Sequence, residues 1–161
     1  LMGAEVIACA RGADKLQVAK AAGADHLINS ETDDIRDIVR ALGGADVVYD
    51  PVGGDQFKAA LRACNPEARI LPLGFACGEV PQIPANILLV KNLTVIGYYW
   101  GGYSKIKPAV LTDSFAQLIA WYQDGKLSPH ISHTLPLAYC NEGLELLRTR
   151  KATGKVIIEI G

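Results

Sequence analysis

Short apolar runs alternate with amphipathic stretches along the first part of the chain. The apolar runs are rich in valine, isoleucine and leucine and end at turn-forming residues, as buried strands of a parallel sheet do. They predict five strands, at residues 5–9, 26–29, 46–50, 69–73 and 93–97. Between them, apolar positions recur at helical spacing and predict helices over residues 14–22, 32–42 and 54–64.

This alternation predicts an α/β fold with a Rossmann-like, doubly wound, mainly parallel sheet. In that fold the first strand lies at the centre of the sheet and leads into a Gly-x-Gly-x-x-Gly loop. Neither feature precedes residues 5–9, and residues 1–4 have the pattern of a helix end. We therefore expect the first strand and the glycine-rich loop to be lacking, and the sequence to be part of a longer polypeptide. The sheet should then have a gap between the strands at 5–9 and 46–50.

The bulk composition disfavours several classes of partner. The 161 residues fit one ordinary domain, and 16 Lys and Arg against 17 Asp and Glu leave a net charge of -1, too little for a nucleic-acid or anionic-membrane surface. Every apolar run is far shorter than the ~20 residues of a membrane span. The four cysteines form no Cys-x-x-Cys pair, so we expect no metal site, reduced thiols and a cytoplasmic location.

Arg11 and Lys15 are the first candidate binding residues. They follow the strand at 5–9, where a dinucleotide-binding sheet places the adenosine ribose and a carboxylate usually holds an unmodified diol. Two cations instead suit a 2′-phosphate, which predicts NADP(H) as the cofactor. On these residues alone, a solvated helix start with an ordinary surface charge pair stays open as the alternative.

Three other features have structural interpretations that outweigh chemical ones. Asp50 ends a strand before Pro-Val-Gly-Gly, and we expect it to cap that turn rather than to act as an acid. His130 and His133 have no carboxylate or cysteine at ligand spacing, so we expect surface or packing roles. In the aromatic cluster after the fifth strand, we expect Trp100 to lie at a subunit contact.

Four stretches, taken in order, carry a family resemblance: GAEVIACARGADKLQVAKAAGADHLIN, DVVYDPVGGDQF, ILPLGF and GLELLRTRKATGKVIIEI. The chain resembles the C-terminal half of the medium-chain dehydrogenase/reductases, in their NADPH:quinone oxidoreductase-like branch. The resemblance implies an N-terminally incomplete NADP(H)-binding Rossmann domain over residues 1–101. It implies a connecting helix at 108–124 within residues 102–161, followed by the C-terminal part of the catalytic domain. A strand and a helix over 133–147 would rejoin that domain and pair with strands preceding Leu1.

The resemblance also implies a set of cofactor contacts. The 2′-phosphate would lie at Arg11 and Lys15, the adenosine at Ser30, the riboses at Val52 and Gly53, the nicotinamide at Gly74, Phe75, Ala76, Tyr98 and Tyr99, and the pyrophosphate near Lys155. The substrate cleft's other wall and any zinc ligands would precede Leu1, so we assign no catalytic residue.

The function implied is hydride transfer from NADP(H) to a small-molecule acceptor, either a quinone or an α,β-unsaturated carbonyl compound. We expect little turnover by this chain alone, and a homodimer through the edge strand at residues 93–97. Two alternatives within the superfamily are an NADP(H)-binding protein without catalysis and a zinc-dependent alcohol dehydrogenase. A third, outside it, is a Rossmann-like methyltransferase.

Overall fold

The computed structural model describes residues 1–161 and contains seven strands, all paired in parallel. The strands are β1 (Ile7–Ala10), β2 (His26–Asn29), β3 (Ala45–Asp50), β4 (Cys64–Pro72), β5 (Thr94–Val95), β6 (Ile131–Pro136) and β7 (Lys155–Glu159). The helices are α1 (Ala13–Ala21), α2 (Ile35–Ala41), α3 (Gly54–Ala63), α4 (Ala85–Lys91), α5 (Tyr103–Ile106), α6 (Pro108–Gln123) and α7 (Cys140–Arg148), with 3₁₀ turns at Trp100–Gly102 and Leu137–Tyr139. The longest helix, α6, has 16 residues, and none could span a bilayer.

The first five strands form two separate parallel sheets. β1 pairs with β2, while β3, β4 and β5 form a second sheet with β4 in the middle. A largely apolar cleft of about 670 Å³, here called the β1/β3 cleft, is lined by Ile7 and Cys9 of β1 and by Val47 and Tyr49 of β3. Val47 is 50% and Tyr49 74% exposed. The predicted α/β class with parallel strands is confirmed, and the predicted gap lies where a central strand would fit.

Helix α3 attaches the helical layer to the second sheet. Phe57 and Leu61, one turn apart on α3, are almost fully buried and pack with Ile70 of β4 and with Leu93. A second cluster joins β2, α2 and α3 through Ile28, Val39 and Ala63. The chain still exposes 11108 Å², against about 7,800 Å² for a compact monomer of its mass. Much apolar surface is therefore unpartnered within the chain.

Several element boundaries differ from those predicted. α2 begins at Ile35 rather than at residue 32, because Asp34 caps it by accepting the N–H of Asp37 at 2.9 Å. β4 begins at Cys64 rather than at residue 69, and β5 has only two residues, Thr94–Val95, instead of spanning 93–97. α4 was not predicted. Capping and strand pairing, rather than the apolar pattern, set these boundaries.

The elements β6, α7 and β7 form a separate C-terminal unit. β6 pairs in parallel with β7, and α7 packs over both strands. Gly143 allows this packing, since a Cβ there would lie 3.2 Å from side-chain atoms of Val156 and Ile158. We expected β6 to pair with strands that precede Leu1. For one edge of β6 this expectation is wrong, because residues 155–159 supply a parallel partner strand within the chain.

Candidate cofactor site

The loops that follow β1 and β2 lie side by side. Asn29 ends β2, and its Oδ1 accepts the N–H of Gly12 at 3.3 Å and the N–H of Glu31 at 3.1 Å. The N–H of Ser30 donates to the carbonyl of Ala10 at 3.0 Å. One amide side chain and one main-chain bond therefore hold the two loops together, with the predicted adenosine-side residue Ser30 between them.

The two predicted phosphate-binding cations are in different environments. Arg11 is exposed and forms an ion pair with Glu31, in which Nε lies 3.4 Å from Oε1. Lys15 is half-buried in the first turn of α1 and forms no ion pair. Between them, Gly12 has a φ of 80°, which side-chain-bearing residues rarely adopt, and turns the chain from β1 into α1.

The turn after β3 is organised by Asp50. This residue is 7% exposed, and its carboxylate accepts the N–H of Val52 at 2.9 Å and the N–H of Gly53 at 3.1 Å. Gly53 has a φ of 79°, and a side chain there would come within 2.6 Å of the Glu79 carbonyl oxygen. The predicted capping role of Asp50 is confirmed, and the capped turn holds Val52 and Gly53 at the end of β3.

The loop after β4 is bonded to this turn. Ala76 donates its N–H to the carbonyl of Pro51 at 3.1 Å, and a Cβ on Gly74 would lie 3.2 Å from the same oxygen. Lys58 of α3 secures the far end of the loop through Glu79, with Nζ 3.0 Å from Oε1. Five predicted nicotinamide-side and ribose-side residues are thus brought together: Val52, Gly53, Gly74, Phe75 and Ala76.

An apolar pocket of about 480 Å³ opens beside this loop. Phe75, Tyr98 and Tyr99 line it, and Tyr99 is 81% exposed, so its ring is free to meet a ligand. Trp100 packs edge-on against Phe115 of α6, with 5.0 Å between ring centroids. The Trp100 ring therefore has a partner within the chain, and a subunit contact for it stays a prediction.

The C-terminal unit meets this region through one hydrogen bond, from Arg150 Nη2 to the carbonyl of Ala76 at 3.0 Å. Lys155 begins β7 and makes no hydrogen bond or ion pair with another candidate residue; its N–H donates to the carbonyl of His130 at 2.9 Å. His130 and His133 each hydrogen-bond a side-chain hydroxyl, which agrees with their expected structural roles. Lys155 thus takes no part in the hydrogen bonds that hold the loops after β1 to β4 together.

Metal-ligating side chains do not converge in this chain. No three His, Cys, Asp or Glu residues are grouped so as to hold a metal ion, and the four cysteines are free thiols. Burial raises the pKa of the Cys64 thiol, against an opposing effect of Lys91, so this thiol is protonated at neutral pH. The side chains present therefore do not fit a zinc site built from this chain.

Three residues that organise the site were not predicted from the sequence: Asn29, Glu31 and Arg150. The first two stand at the end of a predicted strand, the edge at which parallel sheets bind ligands, so their position was a usable signal. Arg150 gave no such signal, because its partner lies 74 positions away along the chain.

Comparisons with known proteins agree with this architecture. A family model described as zinc-binding dehydrogenase matches residues 1–121. The chain is 42% identical over 162 residues to the quinone oxidoreductase-like protein 2 homolog of Nematostella vectensis, and 37% identical over 163 residues to quinone oxidoreductase-like protein 2 of Bos taurus. These alignments cover 98% and 99% of this chain but 44% and 47% of the relatives. The chain thus spans about half the length of the curated relatives it matches.

Two solved structures have the same fold over 99% of this chain. An Escherichia coli quinone oxidoreductase complexed with NADPH gives a TM-score of 0.86 at 25% identity, with half of that protein covered. An NAD-dependent alcohol dehydrogenase gives a TM-score of 0.78 at 31% identity, with 45% covered. Because the family model matches well over half of the 161 residues, the chain belongs to the zinc-binding dehydrogenase family of the medium-chain dehydrogenase/reductases and is quinone oxidoreductase-like.

Proposed function

We propose that this chain binds NADP(H) and forms the cofactor side of an oxidoreductase that transfers a hydride to a quinone or an α,β-unsaturated carbonyl compound. One observation carries the proposal: the positions of the candidate residues. All but Lys155 lie in the segments that follow the carboxyl ends of parallel strands, namely β1, β2, β3, β4 and β5. This is the edge at which open α/β sheets bind their ligands.

The adenosine end supports a phosphorylated nucleotide. Arg11 offers a planar guanidinium and the half-buried residue Lys15 an ammonium, and charge-assisted bonds to phosphate are among the strongest polar contacts. The similar E. coli quinone oxidoreductase was solved with NADPH, whereas the similar alcohol dehydrogenase is NAD-dependent. The two cations after β1 favour the phosphorylated form for this chain, because an unmodified ribose needs neither.

The nicotinamide end supports hydride transfer. When bound, NADPH supplies the hydride from its nicotinamide ring. A side chain on Gly74 would meet the Pro51 carbonyl oxygen, so this glycine lets the loop after β4 close onto the turn after β3, and Phe75, Tyr98 and Tyr99 wall an apolar pocket beside that loop. Aromatic walls of this kind suit a flat conjugated acceptor.

We also propose a domain division after residue 101 and a homodimer. The C-terminal unit has its own sheet, and its one hydrogen bond to the first 101 residues is that of Arg150. The intervening α6 contacts the end of that first segment through Phe115 and Trp100. β5 has a strand neighbour on its β4 side alone, so its other edge is free to pair with a second copy. A monomeric mass for the complete protein by light scattering would contradict the dimer.

Calorimetric titration of NADPH and NADH into the complete protein tests the cofactor. We expect NADPH to bind more tightly, and the Arg11→Ala/Lys15→Ala variant to lose at least about tenfold in NADPH affinity while keeping its NADH affinity. Lys20→Ala/Arg36→Ala is the matched control, since it removes one lysine and one arginine that are exposed and unpaired. Equal affinities for both nucleotides in the unmodified protein would end the 2′-phosphate proposal.

Steady-state oxidation of NADPH tests the reaction itself. We expect turnover with 1,4-naphthoquinone or a simple enone as the acceptor. The loss of NADPH absorbance measures the rate. Tight NADPH binding without oxidation by either acceptor would favour the non-catalytic alternative. Dependence of the rate on added zinc would favour the alcohol dehydrogenase alternative.

A further inference from the structure

The Arg11–Glu31 ion pair lies at the proposed 2′-phosphate position. Nε of Arg11 is 3.4 Å from Oε1 of Glu31, and the two side chains are 54% and 51% exposed. Arg11 is therefore already paired with a carboxylate before any nucleotide binds. A ribose phosphate that takes the same guanidinium has to displace or share that carboxylate.

The main chain keeps the two residues together. Asn29 Oδ1 accepts N–H groups from Gly12, next to Arg11, and from Glu31 itself. Ala10 pairs with Asn29 in the β1–β2 ladder and accepts the N–H of Ser30. The backbone N–H of Glu31 is thus held by the side chain of Asn29, and this loop conformation places the Glu31 carboxylate beside Arg11.

We propose that Glu31 is a specificity-determining residue that weakens NADP(H) binding by holding Arg11; this rests on the proposed function. The ion pair stabilises the nucleotide-free state, and the Glu31 carboxylate also repels a 2′-phosphate dianion. NADH is indifferent to both effects, since its ribose carries no phosphate there. Glu31 therefore sets how far the protein prefers one nucleotide over the other.

The test is Glu31→Gln in the complete protein, titrated with NADPH and with NADH. We expect NADPH to bind about two- to fivefold more tightly, the range of an exposed ion pair, and NADH to bind as before. Glu159→Gln is the matched control, because it removes an exposed, unpaired carboxylate on β7. The gain should shrink at high salt.

An Arg11→Ala background shows whether Glu31 acts through Arg11. In that background we expect Glu31→Gln to increase NADPH affinity only slightly, because only the direct repulsion between Glu31 and the 2′-phosphate is then removed. A full increase in NADPH affinity there would overturn the proposal. If the unmodified protein prefers NADPH and Glu31→Gln changes nothing, the inference fails while the proposed cofactor stands. If the unmodified protein shows no preference, the proposed cofactor fails. In that case, an NADPH preference created by Glu31→Gln would support the inference, and no preference would overturn both.

Discussion

Arg150 donates a hydrogen bond to the carbonyl of Ala76 at 3.0 Å, across 74 positions of the chain. No other hydrogen bond or ion pair joins residues 127–161 to residues 1–101. Arg150 adopts a φ of 58°, a left-handed conformation that favours glycine, at the end of α7. The residue that hydrogen-bonds the C-terminal unit to the proposed nicotinamide loop thus has an unfavourable backbone conformation.

Arg150→Ala should loosen that loop. Removing an exposed charge-assisted bond costs up to about 1 kcal/mol, so we expect amide exchange in residues 74–78 to become about two- to fivefold faster. Arg148→Ala is the control, because Arg148 pairs with Glu145 within α7. Hydrogen exchange read by mass spectrometry checks the prediction. Unchanged exchange in the loop, or equal acceleration by both variants, would mean that the Arg150 bond does not hold it.

Asp50 should matter for stability rather than for proton transfer. Asp50→Ala leaves the N–H groups of Val52 and Gly53 without their acceptor, at a cost of about 1 to 3 kcal/mol for each unsatisfied donor. Asp50→Asn keeps one oxygen and should cost less. Urea unfolding gives the free-energy change, and NADPH oxidation gives the rate. A rate lost in Asp50→Asn with unchanged stability would instead identify an acid or base.

The local apolar pattern was enough to predict β2 and most of β1, β3 and α3. These elements have short valine-, isoleucine- and leucine-rich runs or a clear helical stripe, and their neighbours in sequence are their neighbours in space. The front of β4 was missed because Asn65, Pro66 and Glu67 interrupt its apolar run. α4 was missed because Ile87, Leu88 and Leu89 follow one another without a polar face.

The candidate residues that lie at the ends of predicted strands could be identified from the sequence. Arg11 and Gly74 follow recognisable strands and Asp50 ends one, so their placement at the carboxyl ends of parallel strands could be predicted before the structure was known. The pairing of Arg11 with Glu31 was not predictable, because it depends on how two loops are bonded through Asn29. Contacts between distant segments, such as that of Arg150, leave no periodic trace in a single sequence.

Gly53→Ala should destabilise the protein more than Gly12→Ala. Both glycines have φ near 80°, so both variants carry a backbone strain of about 1 to 3 kcal/mol. Only at Gly53 would the new Cβ also meet a main-chain atom, the Glu79 carbonyl oxygen at 2.6 Å, whereas Gly12 has open space. We expect about 1 to 3 kcal/mol of additional loss at Gly53 from this overlap. Urea midpoints compare the two variants, and equal midpoints would show that the loop after β4 moves aside freely.

The β1/β3 cleft should be closed by a strand in the complete protein. Its lining is largely apolar, and the facing edges of β1 and β3 carry no strand partner in this chain. Main-chain N–H and C=O groups left beside such a surface need partners, which a parallel strand would supply from both sides. We therefore expect peptides covering β1 and β3 to exchange their amide hydrogens as slowly as β4, which already has two neighbours, and at least about tenfold more slowly than β2. β2 is the internal control, because it pairs only with β1. Exchange of β3 as fast as that of β2 in the complete protein would show that the cleft stays open.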